Sequence, residues 1–177
     1  SNIGSERNWS GSHFDQANWY AFGRLAWDPD ISAEEIARDW VALTFSRDAD
    51  AIDEIVDIMM VSREAVVDYM TPLGLTHLMG TGHHYGPAPW VDDLGRADWT
   101  PYYYHRATKD AIGFDRTASG SDAISQYFPP LPEVWSDPAT TPDALLLWFH
   151  RLPWDYRMKD GSTLWESMVT HYDRGVA

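Results

Sequence analysis

Ala49–Tyr69, ADAIDEIVDIMMVSREAVVDY, is the stretch that decides the fold class. Ile52, Ile55, Val56, Met59, Met60, Val66, Val67 and then Met70 recur at spacings of three and four, interrupted only at Ser62 and Arg63. That is the period of a helix with one buried face. Asp50, Asp53, Glu54 and Asp57 sit early in it, where carboxylates complement the helix dipole. The Met-rich stripe reads as core.

Upstream, Ser32-Ala-Glu-Glu35 is a capping box, predicting a helix that buries Ile36, Trp40 and Leu43. Before it, Gln16–Trp27 carries Trp19, Phe22, Gly23 and Ala26 on one helical face and stops at Asp28-Pro29. Ser1–Ser12 is polar, Gly-punctuated and aperiodic, hence a loop. Downstream, Pro72 ends the long helix. About thirty residues of Gly, Pro, His and aromatics follow, opening with TPLGLTHLMGTGHHYGPAPW over Thr71–Trp90. Loops of that length inside a compact domain tend to be functional or disordered. The rings of His83, His84, Tyr85, Trp90 and Trp99 argue for a ligand-facing loop.

Beyond the loop, Tyr102–Lys109 reads as one or two helical turns and Ile112–Ser121 as a Gly-punctuated segment. Ala123–Phe128 is a short helix or extended piece stopped by Pro129-Pro130, and Thr141-Pro142-Asp143 starts a helix. The all-apolar run Leu145–Phe149 must be buried. Lys159–Ser162 is a turn. Thr163-Leu-Trp-Glu166 is a second capping box, predicting a helix with Leu164, Trp165, Met168, Val169 and Tyr172 inward and Gly175 as its stop. Strand alternation is nearly absent. The expectation is a mainly α, irregular multi-helix domain over 1–177 with long aromatic, Gly- and Pro-rich loops.

The 177 residues suit one domain. A net charge of −14, from 27 acidic and 13 basic residues, opposes binding to nucleic acid and to anionic membranes. No apolar run approaches the roughly 18 residues of a membrane span. No signal peptide is visible, and a start at Ser1 points to a processed product or a piece of a larger protein. With no cysteine there is neither a disulfide nor a thiolate site, and the compartment stays open. Ten Trp, nine Tyr and six Phe suit a core first and stacking on sugar faces second.

Read for chemistry, His77, His83 and His84 lack a carboxylate at ligand spacing before Asp92, and no HExxH is present; no metal site or cofactor is expected. No Gly-x-Ser-x-Gly elbow exists. Paired carboxylates could serve glycoside cleavage, but most lie on predicted helix surfaces. Asp115-Arg116, in a Gly-bounded loop, reads as an ion pair bracing that loop before it reads as a sugar-binding pair. His105-Arg106 and His150-Arg151 each follow aromatic residues and read as buried histidines.

Several longer runs carry a resemblance. SNIGSERNW, QANWYAFGRLAWDPDISAEEIA, TPLGL, HHYGP, YYHRA, IGFDRT and LLLWFHRLPWDYRMKDGSTLWESMVTHYDRG resemble the C-terminal region of the α-glucuronidases of glycoside hydrolase family 67 across essentially the whole chain. The resemblance implies a helical domain following a β-rich domain and a (β/α)8 barrel. Residues 1–12 would then be the tail of the last barrel strand and its loop. It implies an inverting enzyme that removes α-1,2-linked 4-O-methylglucuronic acid from xylooligosaccharides, its acid and base on the barrel; no catalytic residue is expected in this chain. The expected partners are that barrel, the glucurono-xylooligosaccharide and a second copy of the enzyme. His83, His84, Tyr85 and Trp90 are the expected substrate-facing residues, followed by Asn2 and Trp9. The bacterial pattern favours a cytoplasmic location, with an extracellular one as alternative. A non-catalytic carbohydrate-binding or structural dimerisation module is the alternative function.

Overall fold

The structure, a computed structural model of the chain, describes residues 10–75, Gly95 and residues 106–177. It is mainly α and divides into two compact units, Ser1–Arg63 and Glu64–Ala177.

The first unit contains α1 (His13–Trp27), α2 (Ala33–Thr44) and the first two-thirds of α3 (Ala49–Met70). Ser12 caps α1, its hydroxyl accepting from the Asp15 amide, so the helix begins three residues before Gln16. The Ser32–Glu35 capping box forms in full at the start of α2. Ala37, Trp40, Val41 and Val56 make the core, with Ala17, Tyr20, Ile52, Ile55 and Met59 packed on it. The apolar face expected of α1 is its outer one: Trp19 is 60% exposed and Phe22 70%. The inner face carries the smaller Ala17 and the amphipathic Tyr20, whose hydroxyl accepts from Arg24. Leu43, expected inward, is 72% exposed, because the core-facing stripe of α2 runs through Ile36, Ala37, Trp40 and Val41. Met60 on α3 is likewise exposed.

The second unit is assembled from shorter pieces. α3 runs unbroken past Ser62 and Arg63 and ends at Met70, where Pro72 cannot supply the next amide. A 3-10 turn, Pro72–Gly74, then inserts Leu73 and leads to Leu75 in the core. Strand β1 (Ala111–Gly113) pairs antiparallel with β2 (Arg151–Pro153), Ile112 opposite Leu152 and Gly113 opposite Arg151. Between them lie a 3-10 turn (Ala123–Gln126), α4 (Leu131–Trp135), a 3-10 turn (Asp143–Leu145) and α5 (Leu146–Phe149). The chain closes with α6 (Leu164–Val176). Leu73, Leu75, Ile112, Leu146, Leu147, Leu152, Met158 and Leu164 form one core. The expected burial of Leu146, Leu147 and Phe149 is observed.

Several expectations give way here. Arg106–Lys109 is not helical: the Thr108 amide and hydroxyl both bond the Ala111 carbonyl, holding a turn instead. On α6, Trp165, Val169 and Tyr172 are exposed, and Leu164 with Met168 supplies the packing. Gly175 does not stop α6, which continues to Val176. A Cβ there would lie 2.8 Å from both the Ala65 carbonyl oxygen and the Tyr69 nitrogen, so glycine serves the close crossing of α6 and α3. Beside that crossing Asp68 is buried. It accepts from Arg174 Nε at 2.5 Å and Nη2 at 2.6 Å and shares a 2.8 Å hydrogen bond with His171 Nδ1.

Candidate functional site

The β1–β2 pairing sets the geometry of a cleft of about 610 Å³ in the second unit, lined by Arg106, Gly113, Phe114, Asp115, Arg116, Gly120, Ser121 and Arg151. Strand period 2 turns Leu152 into the core and Arg151 outward. Gly113, opposite Arg151, has φ +93°, and a Cβ on it would collide with the His150 carbonyl. Only glycine brings the backbone this close, and that brings Phe114 to the cleft.

Three guanidinium groups converge there. Arg151 donates to the Arg106 carbonyl, to the Gly113 carbonyl at 3.4 Å and to Thr108 Oγ1 at 2.9 Å. Arg116 donates to the Trp148 carbonyl and lies between two rings, its Cζ 4.5 Å from the Phe114 centroid and 4.0 Å from that of Trp148. Arg106 Cζ stands 5.9 Å from the same Phe114 ring. Arg106 has φ 53°, a left-handed conformation that few non-glycine residues adopt. Backbone carbonyls help hold Arg116 and Arg151 in place, and two ring faces flank Arg116.

Asp115 and Arg116, expected to pair with each other, are held by different partners. The Asp115 carboxylate accepts from the Thr117 amide at 3.0 Å, the Thr117 hydroxyl at 2.7 Å and the Ser119 hydroxyl at 2.8 Å. Burial pushes its pKa up, but these hydrogen bonds outweigh burial and hold the carboxyl below its ordinary value. Asp115 is therefore an ionised brace for its own turn, not a proton donor.

His150 is buried, its Nε2 2.9 Å from Thr141 Oγ1. Burial lowers its pKa, against the opposing effects of the Trp135 backbone and Asp115. The expectation of a satisfied core histidine holds. Among the described residues no three His, Asp or Glu side chains converge as metal ligands. Among the described residues, the cleft lining carries Arg106, Arg116 and Arg151 and one carboxylate, Asp115, which braces its own turn.

Of the residues expected to face substrate, Asn2, Trp9, His83, His84, Tyr85 and Trp90 lie outside the described residues. Arg106 and Arg151 were missed as site residues because each stood beside a histidine that drew the reading. The signal that could have found them is two His-Arg dipeptides, each after aromatics, in a chain poor in Arg and Lys.

Residues 10–177 match the family described as Glycosyl hydrolase family 67 C-terminus. The chain belongs to that family. This C-terminal region of family 67 is similar to "Probable alpha-glucuronidase A" of Aspergillus oryzae, 41% identical over 178 residues that cover 97% of the chain and 20% of the relative. It is 42% identical over 168 residues to the protein of the same name from Aspergillus terreus, covering 92% of the chain and 19% of that relative. "Alpha-glucuronidase A" of Aspergillus tubingensis is 41% identical over 168 residues, with the same coverage. The chain thus spans about a fifth of the length of these curated relatives.

Proposed function

We propose that this chain is the C-terminal domain of an α-glucuronidase that removes glucuronic acid or its 4-O-methyl ether from xylooligosaccharides. The observation that carries the reading is 41% identity to proteins named alpha-glucuronidase A, sustained over 97% of the chain. In this reading the catalytic acid and base belong to a barrel elsewhere in the longer protein. The helices pack on that barrel and on a second copy, and the His83–Trp90 stretch leans over the mouth of its active site. The exposed apolar side chains of α6 (Trp165, Val169, Tyr172, Val176) and of α1 (Trp19, Phe22, Trp27) are consistent with faces covered in a larger assembly. Among the described residues, no helix is long and apolar enough to cross a membrane.

Two measurements test this. The longer protein should release glucuronate from glucurono-xylooligosaccharides, and the 177-residue chain alone should not; release by the chain alone would refute the division of labour. In the longer protein, Trp90→Ala should lower kcat/KM and leave both limbs of the pH profile in place, since those limbs report the acid and base. Unchanged kinetics with a lowered Tm would make Trp90 a packing residue. A carbohydrate-binding module would instead retain xylan on its own, which affinity electrophoresis of the chain would detect.

A further inference from the structure

We propose that Asp160–Gly161 is a latent isoaspartate site. The turn that carries the pair blocks closure to a succinimide while folded and permits it on opening, so the backbone keeps an irreversible record of each opening.

Asp160–Gly161 is the one Asp-Gly pair in the sequence, which has no Asn-Gly. Glycine shields its amide nitrogen less than any other residue, so this pair closes to an imide more readily than other aspartyl pairs. In the reaction the Gly161 nitrogen attacks Asp160 Cγ. A bond forms between them, and the carboxyl hydroxyl leaves as water with the amide proton. Water then opens the ring. Addition at Cγ restores aspartate; addition at the main-chain carbonyl leaves isoaspartate, with the chain running through Cβ. Water is lost and regained, and no oxidant or cofactor enters.

The fold both requires this pair and restrains it. Gly161 has φ +87°, and a Cβ built there would meet no atom within 4 Å, so the left-handed backbone rather than crowding asks for glycine. Each group the reaction needs is engaged. The nucleophilic amide donates to the Met158 carbonyl at 2.9 Å. Asp160 Oδ1 accepts from the Ser162 hydroxyl at 2.7 Å and from the Ser162 amide at 2.9 Å. Those two bonds hold the carboxyl below its ordinary pKa, in the anionic form that is the poorer electrophile. Arg157 donates to the Gly161 carbonyl at 3.1 Å. Asp160 and Gly161 are exposed, so hydrogen bonds rather than burial stand in the way. Isomerisation would add a main-chain atom inside the turn closed by the Met158 amide on the Ser162 carbonyl and by the Arg157–Thr163 bridge. On one side of that turn Met158 fills the core, and on the other Thr163 caps α6.

The test incubates the protein in H₂¹⁸O at neutral pH, folded or in urea, and scores heavy oxygen and isoaspartate at position 160 by peptide mapping. The folded protein should react at least about tenfold more slowly than the protein in urea, since it reacts only through the open turn. Ser162→Ala removes one of the two bonds to the carboxylate. It should raise the folded rate about fivefold, the scale of a lost hydrogen bond, and leave the rate in urea unchanged. Hydrogen exchange of the Gly161 amide should quicken by the same factor in that variant, because one opening frees both groups. Asp160→Glu, whose ring would be six-membered and slow to close, should abolish the label. Equal rates folded and in urea, a Ser162→Ala effect of the same size in urea, or faster isomerisation without faster amide exchange would each overturn the assignment.

Discussion

Each of the two units of this chain is held together internally in its own way. In Ser1–Arg63 the hydrogen bonds that define the elements are local: Ser12 caps α1 and Ser32 caps α2, each across three residues. The longer ties, Arg24 to Asp39 and Arg38 to Asp53, span 15 residues and sit on the exposed surface. Exposed pairs of that kind contribute about 0–1 kcal/mol. In Glu64–Ala177 the ties reach far along the chain. Arg116 finds the Trp148 carbonyl 32 residues away, Trp154 donates to Thr108 across 46, and Arg174 meets Asp68 across 106. One unit is specified mainly by period and caps, the other by single side chains that reach distant backbone. Change of one residue should therefore matter more in the second.

The largest expected effect is in the second core. Leu146→Ala should destabilise by about 2–5 kcal/mol, since Leu146 is 1% exposed and packs among Leu73, Ile112 and Leu164. Urea unfolding would read it, and a loss below about 0.5 kcal/mol would say that the unit tolerates holes.

Next comes the buried carboxylate at the α3–α6 crossing. The Arg174 hydrogen bonds, with help from His171 and against the effect of burial, hold Asp68 at a pKa of about 2. A folded pKa below the unfolded value contributes stability at pH above about 3.8 that is lost as pH falls through about 2. Asp68→Asn should cost about 1–2 kcal/mol at pH 7; that is less than the full shift, because Arg174 reaches solvent and its pairing is screened. The cost should shrink between pH 4 and pH 2. A cost that does not change with pH would make the role of Asp68 purely one of packing.

Gly175→Ala comes third. Alanine inside a helix ordinarily gains about 0.5–1 kcal/mol over glycine. Here it should instead lose about 1 kcal/mol, because the methyl meets the α3 backbone. A raised Tm would show that the two helices separate freely. The smallest effect belongs to Leu43→Ala in the first unit, within about 0.5 kcal/mol because the side chain is 72% exposed.

The same contrast governs what could be read in advance. α2, α3 and the two capping boxes were legible because their signals lie within a few residues: Ser32 with Glu35, Thr163 with Glu166, Ile52 with Ile55 and Val56. Which apolar face turned inward was not. The rings of Trp19 and Phe22 give α1 a persuasive stripe, yet Ala17 and Tyr20 make the contact, and periodicity cannot say which partner a stripe meets. β1 and β2 escaped notice because three-residue strands leave too few positions for alternation. The cleft is harder still: Arg106, Arg116 and Arg151 are apart in sequence and come together only through that pairing. Asp115-Arg116 invited a local ion pair, and the fold gave each residue a separate partner.

The β1–β2 pairing also bears on the order of events during folding. Arg151 bonds Gly113 across 38 residues and Arg106 across 45, so the segments must meet before the cleft or its braces can exist. Closing a loop of that length costs about 3 kcal/mol of chain entropy before any contact rewards it. The α1–α2 connection between Trp27 and Ala33 closes far more readily. Nascent chain should acquire the helical hairpin early and the arginine cleft late, as local contacts generally outpace distant ones. Pulse-labelling hydrogen exchange during refolding should find the amides of α1 and α2 protected before those of Ile112 and Leu152.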